Sequence, residues 1–117
     1  MFGVKNHDKY TTVVITGSGS AANESVLSSL GAGKRILVLT NGEFGERLID
    51  LAEIHELKVI RFQLEWGESF KVADIEKAIV KAKPDVVAMV HHETSTGMLN
   101  PIEAVGKICK KHKKLFY

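Results

Sequence analysis

A chain of 117 residues, 44% hydrophobic and 26% charged, is one domain's worth of sequence with enough apolar material for a core, which excludes a disordered chain. With 16 Lys and Arg against 14 Asp and Glu, the net charge of +2 makes no global case for nucleic acid or an acidic membrane. The single cysteine, Cys109, excludes an internal disulfide, and no apolar run approaches the ~20 residues of a membrane span, so a cytoplasmic protein with neither a nucleic-acid nor a membrane partner is expected.

The first ten residues carry no apolar stretch that would serve as a signal peptide and read ambiguously, as helix and turn. Thr11–Thr16 is β-branched and nearly continuous, the pattern of a strand buried on both faces. A helix is expected over Ala21–Leu30, with Val26, Leu27 and Leu30 at helical spacing, followed by a strand over Lys34–Thr40. Phe44–Glu56 repeats apolar residues at Leu48, Leu51 and Ala52, a second helix, and Lys58–Gln63 reads as a strand. Val72–Ala82 puts Ile75, Ala78, Ile79 and Ala82 on one helical face; Pro84 ends it, and Asp85–His91 is the next strand.

Asn100-Pro101-Ile102-Glu103 opens the last helix with a capping side chain, proline at the first helical position and a carboxylate at the third. Ile102, Val105, Ile108 and Cys109 form its apolar stripe. Lys107, Lys110, Lys111, Lys113 and Lys114 gather at its C-terminal end, where they suit the helix dipole and a solvated face. Leu115-Phe116-Tyr117 reads as the start of a fifth strand, so the chain is expected to be cut inside a larger sheet. Alternation of strand and helix predicts an α/β fold, a mostly parallel sheet with helices on its faces, whose ligands lie beyond the carboxyl ends of the strands.

Three loops fall at those ends. Gly17-Ser18-Gly19-Ser20-Ala21-Ala22 joins strand to helix; its glycines allow close backbone approach, and free N–H groups, serine hydroxyls and the helix dipole suit a phosphate. The same run fits a relaxed dinucleotide fingerprint, but the acidic residue wanted at the end of the second strand is replaced by Asn41-Gly42. In Asn41-Gly42-Glu43-Phe44-Gly45, Phe44 suits either stacking on a planar ligand or covering the core. His91-His92-Glu93-Thr94-Ser95-Thr96-Gly97 concentrates hydrogen-bonding groups, yet adjacent histidines on a strand point to opposite faces and make poor joint metal ligands, so no metal is expected. Trp66 suits packing as well as function.

Taken together, TGSGSAANE, LVLTNGEFGERL and VHHETSTGMLNPIE resemble the class V aminotransferases that use pyridoxal phosphate, above all the alanine/serine–glyoxylate and 2-aminoethylphosphonate–pyruvate subgroups. The resemblance runs from about Thr11 to the end. It implies that residues 1–117 are the first part of a cofactor-binding large domain of fold type I. Ser18, Gly19 and Ser20 then match the loop that holds the cofactor phosphate, Phe44 the aromatic stacked on the pyridine ring, and Thr94 the hydroxyl residue near the ring. His92 and Glu93 lie in the right loop without an assigned role. The aspartate that pairs with the pyridinium nitrogen and the lysine that binds the cofactor covalently are expected beyond residue 117, so no catalytic residue is named here. The whole enzyme would be a homodimer passing an amino group from an amino acid or aminophosphonate to pyruvate or glyoxylate, the 117-residue chain alone being inactive. The alternative is a non-catalytic module, derived from such an enzyme, that binds pyridoxal phosphate or another chain.

Overall fold

The computed structural model describes residues 11–117, so the reading of the first ten residues lies outside it. Four parallel strands, β1 (Arg35–Thr40), β2 (Lys58–Gln63), β3 (Val86–Met89) and β6 (Leu115–Phe116), form a sheet in the order β2-β1-β3-β6. A two-stranded antiparallel hairpin, β4 (His92–Glu93) and β5 (Met98–Leu99), follows β3. The helices are α1 (Gly19–Ser29), α2 (Glu43–Ile54), α3 (Val72–Ala82) and α4 (Ile102–Lys111).

The central strands are the apolar runs. From Ile36 to Thr40, β1 is buried throughout, and so is all of β3, as parallel strands covered on both faces must be. Period-two alternation splits β1 between two cores. Leu37 and Leu39 join Val87, Met89, Ile75, Ile79, Val105 and Cys109 beneath α3 and α4. Ile36 and Val38 join Val86, Ala88, Leu27, Leu48, Ile49 and Ala52 beneath α1 and α2. The connection through α2 moves one way along the sheet and those through α3 and α4 move the other way. Because α2 lies on one face and α3 and α4 on the opposite face, all three crossovers share one hand. The direction of winding reverses between β1 and β3, so their carboxyl ends frame the crevice where such sheets bind ligands.

Three expectations are corrected. Thr11–Thr16 forms no strand and pairs in neither sheet; Val13 and Val14 are 77% and 89% exposed. Its β-branched residues favour a pleated, half-buried surface, and that preference makes a strand only where a neighbour completes the ladder. Asn100 is not the cap of α4: the helix starts at Ile102 with Pro101 in the capping place and no side-chain cap, while the Asn100 side chain turns inward. The predicted strand over Asp85–His91 stops at Met89, because His92 and Glu93 turn away into the hairpin. The expected last strand is present: Leu115 and Phe116 pair with Val86 and Val87, and Tyr117 carries the ladder on by donating to Val87 O (2.9 Å) and accepting from Met89 N–H (3.0 Å).

Candidate cofactor-binding site

The loop after β1 is shaped by contacts that leave no room for side chains. A Cβ on Gly45 would lie 2.6 Å from Thr40 Cβ and 2.9 Å from its Cα, and one on Gly42 would lie 2.5 Å from Glu93 Cγ and 2.7 Å from Ser95 Oγ. Asn41, 1% exposed, pairs reciprocally with Asn100: Asn41 Nδ2 donates to Asn100 Oδ1 (2.9 Å) and Asn100 Nδ2 to Asn41 Oδ1 (3.1 Å). Asn41 also donates to Glu68 O (2.9 Å) and Asn100 to Val90 O (2.9 Å). This amide pair fastens the ends of β1 and β3 to the start of α4, and a buried amide needs such partners.

Glu93 is fully buried at the N-terminus of α2. Its Oε1 accepts from Phe44 N–H (3.2 Å) and from the Ser95 hydroxyl (2.6 Å), and its Oε2 from Gly45 N–H (3.0 Å). Ser95 Oγ in turn accepts from Glu43 N–H (3.1 Å). A carboxylate from another loop thus satisfies N–H groups that the helix cannot pair itself, at the positive end of its dipole. Thr96 N–H donates to Glu93 O (3.1 Å), and Gly97, at φ +71°, takes the left-handed conformation that closes the turn of the hairpin.

The serine loop meets α2 through Arg47, whose Nη2 donates to Ser20 Oγ (3.2 Å) and whose Cζ lies 5.7 Å from the centroid of the Phe44 ring. Leu27, fully buried, and the hydrogen bond from Tyr117 Oη to Asn23 Oδ1 (2.6 Å) anchor α1 to the sheet. Burial pushes the Tyr117 hydroxyl above its ordinary pKa. Gly17 is excluded from bearing a side chain by Ala21, whose Cβ would be 2.9 Å away.

Ser18, Gly19, Ser20 and Thr94 are exposed, and Phe44 is 40% exposed. Ser20 and Phe44 are joined by Arg47, and Phe44 is tied through Glu93 to the loop of Thr94. The Ser18 and Thr94 side chains have no hydrogen bond among the described residues. The first turn of α1 carries no acidic residue, and Ser18 makes no side-chain cap. Unclaimed N–H groups, hydroxyls and a guanidinium are the donor set a phosphate requires, and a part-exposed aromatic beside them suits a planar ring. Trp66, 54% exposed, donates Nε1–H to Glu46 Oε1 (2.8 Å) at the rim. The roles of Asn41, Asn100 and Glu93 went unread in the sequence; the one signal for Glu93 was an acid amid hydroxyl residues just after a buried strand.

The family profile described as Aminotransferase class-V matches residues 3–117. The chain is 39% identical over 113 residues to a 2-aminoethylphosphonate–pyruvate transaminase of Bacillus cereus, covering 95% of this chain and 33% of the relative. Among solved structures it is similar to a ureidoglycine–glyoxylate aminotransferase from Bacillus subtilis, with 40% identity, a TM-score of 0.84, and coverage of 87% of this chain and 27% of that one. It is also similar to an alanine–glyoxylate aminotransferase from Nostoc sp., with 32% identity, a TM-score of 0.82, and coverage of 89% and 28%. The chain spans about a third of the length of the curated relatives it matches. It belongs to the class V aminotransferase family, whose cofactor is pyridoxal phosphate. No helix among the described residues is long and apolar enough to cross a membrane.

Proposed function

We propose that this class V aminotransferase chain forms the phosphate- and ring-binding part of a site for pyridoxal 5'-phosphate, in an enzyme that moves an amino group from an amino acid or aminophosphonate to pyruvate or glyoxylate. The observation that carries the reading is the Arg47 link, which joins Ser20 to Phe44 at the carboxyl edge of the sheet, next to the point where its winding reverses. Backbone N–H groups at Gly19 and Ser20, with the Ser18 and Ser20 hydroxyls, bind the phosphate, and the dipole of α1 and the Arg47 charge favour the anion. Phe44 packs against the pyridine ring and excludes water from one of its faces. Thr94 donates its hydroxyl to a polar substituent of the ring. When bound, the cofactor supplies the electron sink and carries the amino group between the two substrates.

Residues 1–117 correspond, in this reading, to the first part of a large domain, and the protein acts as a homodimer in the cytoplasm. The 117-residue chain by itself is inactive, because none of its residues takes the part of the covalently bound lysine or the ring-nitrogen aspartate. The test is transamination by the protein at the length its source cells make, with 2-aminoethylphosphonate or alanine as donor and pyruvate or glyoxylate as acceptor. Amino-acid product from one of these pairs is expected, with none from the isolated 117-residue chain. Turnover by the isolated chain would show that the missing groups are dispensable.

A second reading has its own observation. Val13, Val14 and Ile15 are exposed beside α1, an apolar segment with β-branched character and no place in either sheet. It favours a non-catalytic module that binds pyridoxal phosphate and associates with another chain. Cofactor binding without turnover by the native-length protein, together with concentration-dependent sedimentation, would select this reading.

A further inference from the structure

We propose that Glu93 is the positioning residue of the site, setting through one buried carboxylate the placement of both Phe44 and Thr94. The inference rests on the cofactor reading above and adds to it a residue that touches neither ring nor phosphate. Glu93 lies in a two-residue strand between two exposed neighbours, His92 and Thr94, and is itself fully buried. Glu93 ends the strand and Thr94 is the first residue of the turn that follows, so holding the Glu93 side chain inward fixes the backbone from which the exposed Thr94 projects. The same carboxylate accepts from the backbone N–H of Phe44 at 3.2 Å and of Gly45 at 3.0 Å, which fixes the entry of α2 and the backbone from which the Phe44 ring projects.

Every contact of this carboxylate is with a donor. Ser95 spends its acceptor on Glu43 N–H and points its own proton at Oε1. An amide cannot replace the group: with its oxygen at Oε2 the NH2 faces Phe44 N–H, and with its oxygen at Oε1 the NH2 faces Gly45 N–H. Either way one N–H at the start of α2, the part-buried one of Phe44 or the buried one of Gly45, loses its partner. Gly42 enforces the seat from the other side, since a Cβ there would lie 2.5 Å from Glu93 Cγ.

The experiment compares wild type, Glu93→Gln and Phe44→Leu in the native-length protein, titrated with pyridoxal 5'-phosphate. Affinity and the circular dichroism induced in the cofactor's absorption band are both read, and hydrogen exchange of the Phe44 and Gly45 amides is followed in the wild type. Glu93→Gln is expected to weaken binding by about tenfold, the worth of one charge-assisted hydrogen bond, and to change the induced dichroism in the same sense as Phe44→Leu. Both amides are expected to be strongly protected. A folded Glu93→Gln with wild-type affinity and dichroism would overturn the inference while leaving the cofactor reading intact. Absence of cofactor binding by the wild type would overturn both. If Glu93→Gln does not fold, the wild-type exchange decides: rapid exchange at Phe44 and Gly45 would overturn the role, and slow exchange at both would support it.

Discussion

Replacing Asn100 by aspartate separates two physical roles that the sequence does not distinguish. As a helix cap, aspartate ranks with asparagine, so Asn100→Asp would change stability by no more than a few tenths of a kcal/mol. In the folded chain Asn100 is 5% exposed, and its Nδ2 donates to Asn41 Oδ1 at 3.1 Å and Val90 O at 2.9 Å. Aspartate puts an oxygen where that NH2 stood, so both contacts become acceptor against acceptor and a charge is buried without a cation beside it. An uncompensated buried charge costs about 3–5 kcal/mol. The assay is urea unfolding of the native-length protein, read as a change in midpoint at constant m value. A double-mutant cycle of Asn41→Ala with Asn100→Ala should add a coupling of about 1–2 kcal/mol, which a cap would lack. An Asn100→Asp protein within 0.5 kcal/mol of wild type, a margin typical of surface substitutions, together with no coupling to Asn41, would refute the buried amide pair.

Other outcomes follow from the same geometry. Gly45→Ala places a Cβ against Thr40 and should cost about 1–3 kcal/mol by overpacking, measured by the same unfolding assay; an unchanged midpoint would contradict the close approach of α2 to β1. Glu76 accepts from Lys111 Nζ (2.9 Å) and contacts His112 Nε2 (2.8 Å), and these hydrogen bonds hold its carboxyl below the ordinary value of 4.5. A carboxyl depressed on folding adds stability above its unfolded pKa and loses it as pH falls through the folded value, so stability should drop below about pH 4.5 and Glu76→Gln should flatten that slope. Arg47→Gln should weaken pyridoxal 5'-phosphate binding only about two- to fivefold, as befits an exposed charge, and the loss should shrink in high salt; a salt-independent loss would contradict a role through charge.

The sheet was legible because its central strands are short apolar runs bounded by turn residues and its helices carry their apolar residues at helical spacing. Ile36, Val38, Val86 and Ala88 against Leu37, Leu39, Val87 and Met89 show the period-two division that such runs permit but do not assign to a face. The loops that bear Phe44 and Thr94 were legible because they follow the buried strands β1 and β3, where polar, glycine-rich segments collect in this architecture, whereas the strand expected before Ser18 and Ser20 does not form among the described residues. What escaped was non-local. Asn100 looks like a cap because its neighbours Pro101 and Glu103 suit a helix start, while its partner Asn41 is 59 residues away. Glu93 reaches Phe44 and Gly45 across 49 and 48 residues, a distance at which no local pattern signals a contact. Thr11–Thr16 has strand chemistry, and what it lacks in the described residues is a strand to pair with.

A crystal structure of the native-length protein with pyridoxal 5'-phosphate bears most directly on the assignment of these loops to cofactor binding. The phosphate is expected against the N–H groups and hydroxyls of Ser18, Gly19 and Ser20, with the ring on Phe44 and the Thr94 hydroxyl within hydrogen-bond distance of it. Cofactor seated elsewhere, with the serine loop and Phe44 left in solvent, would contradict it.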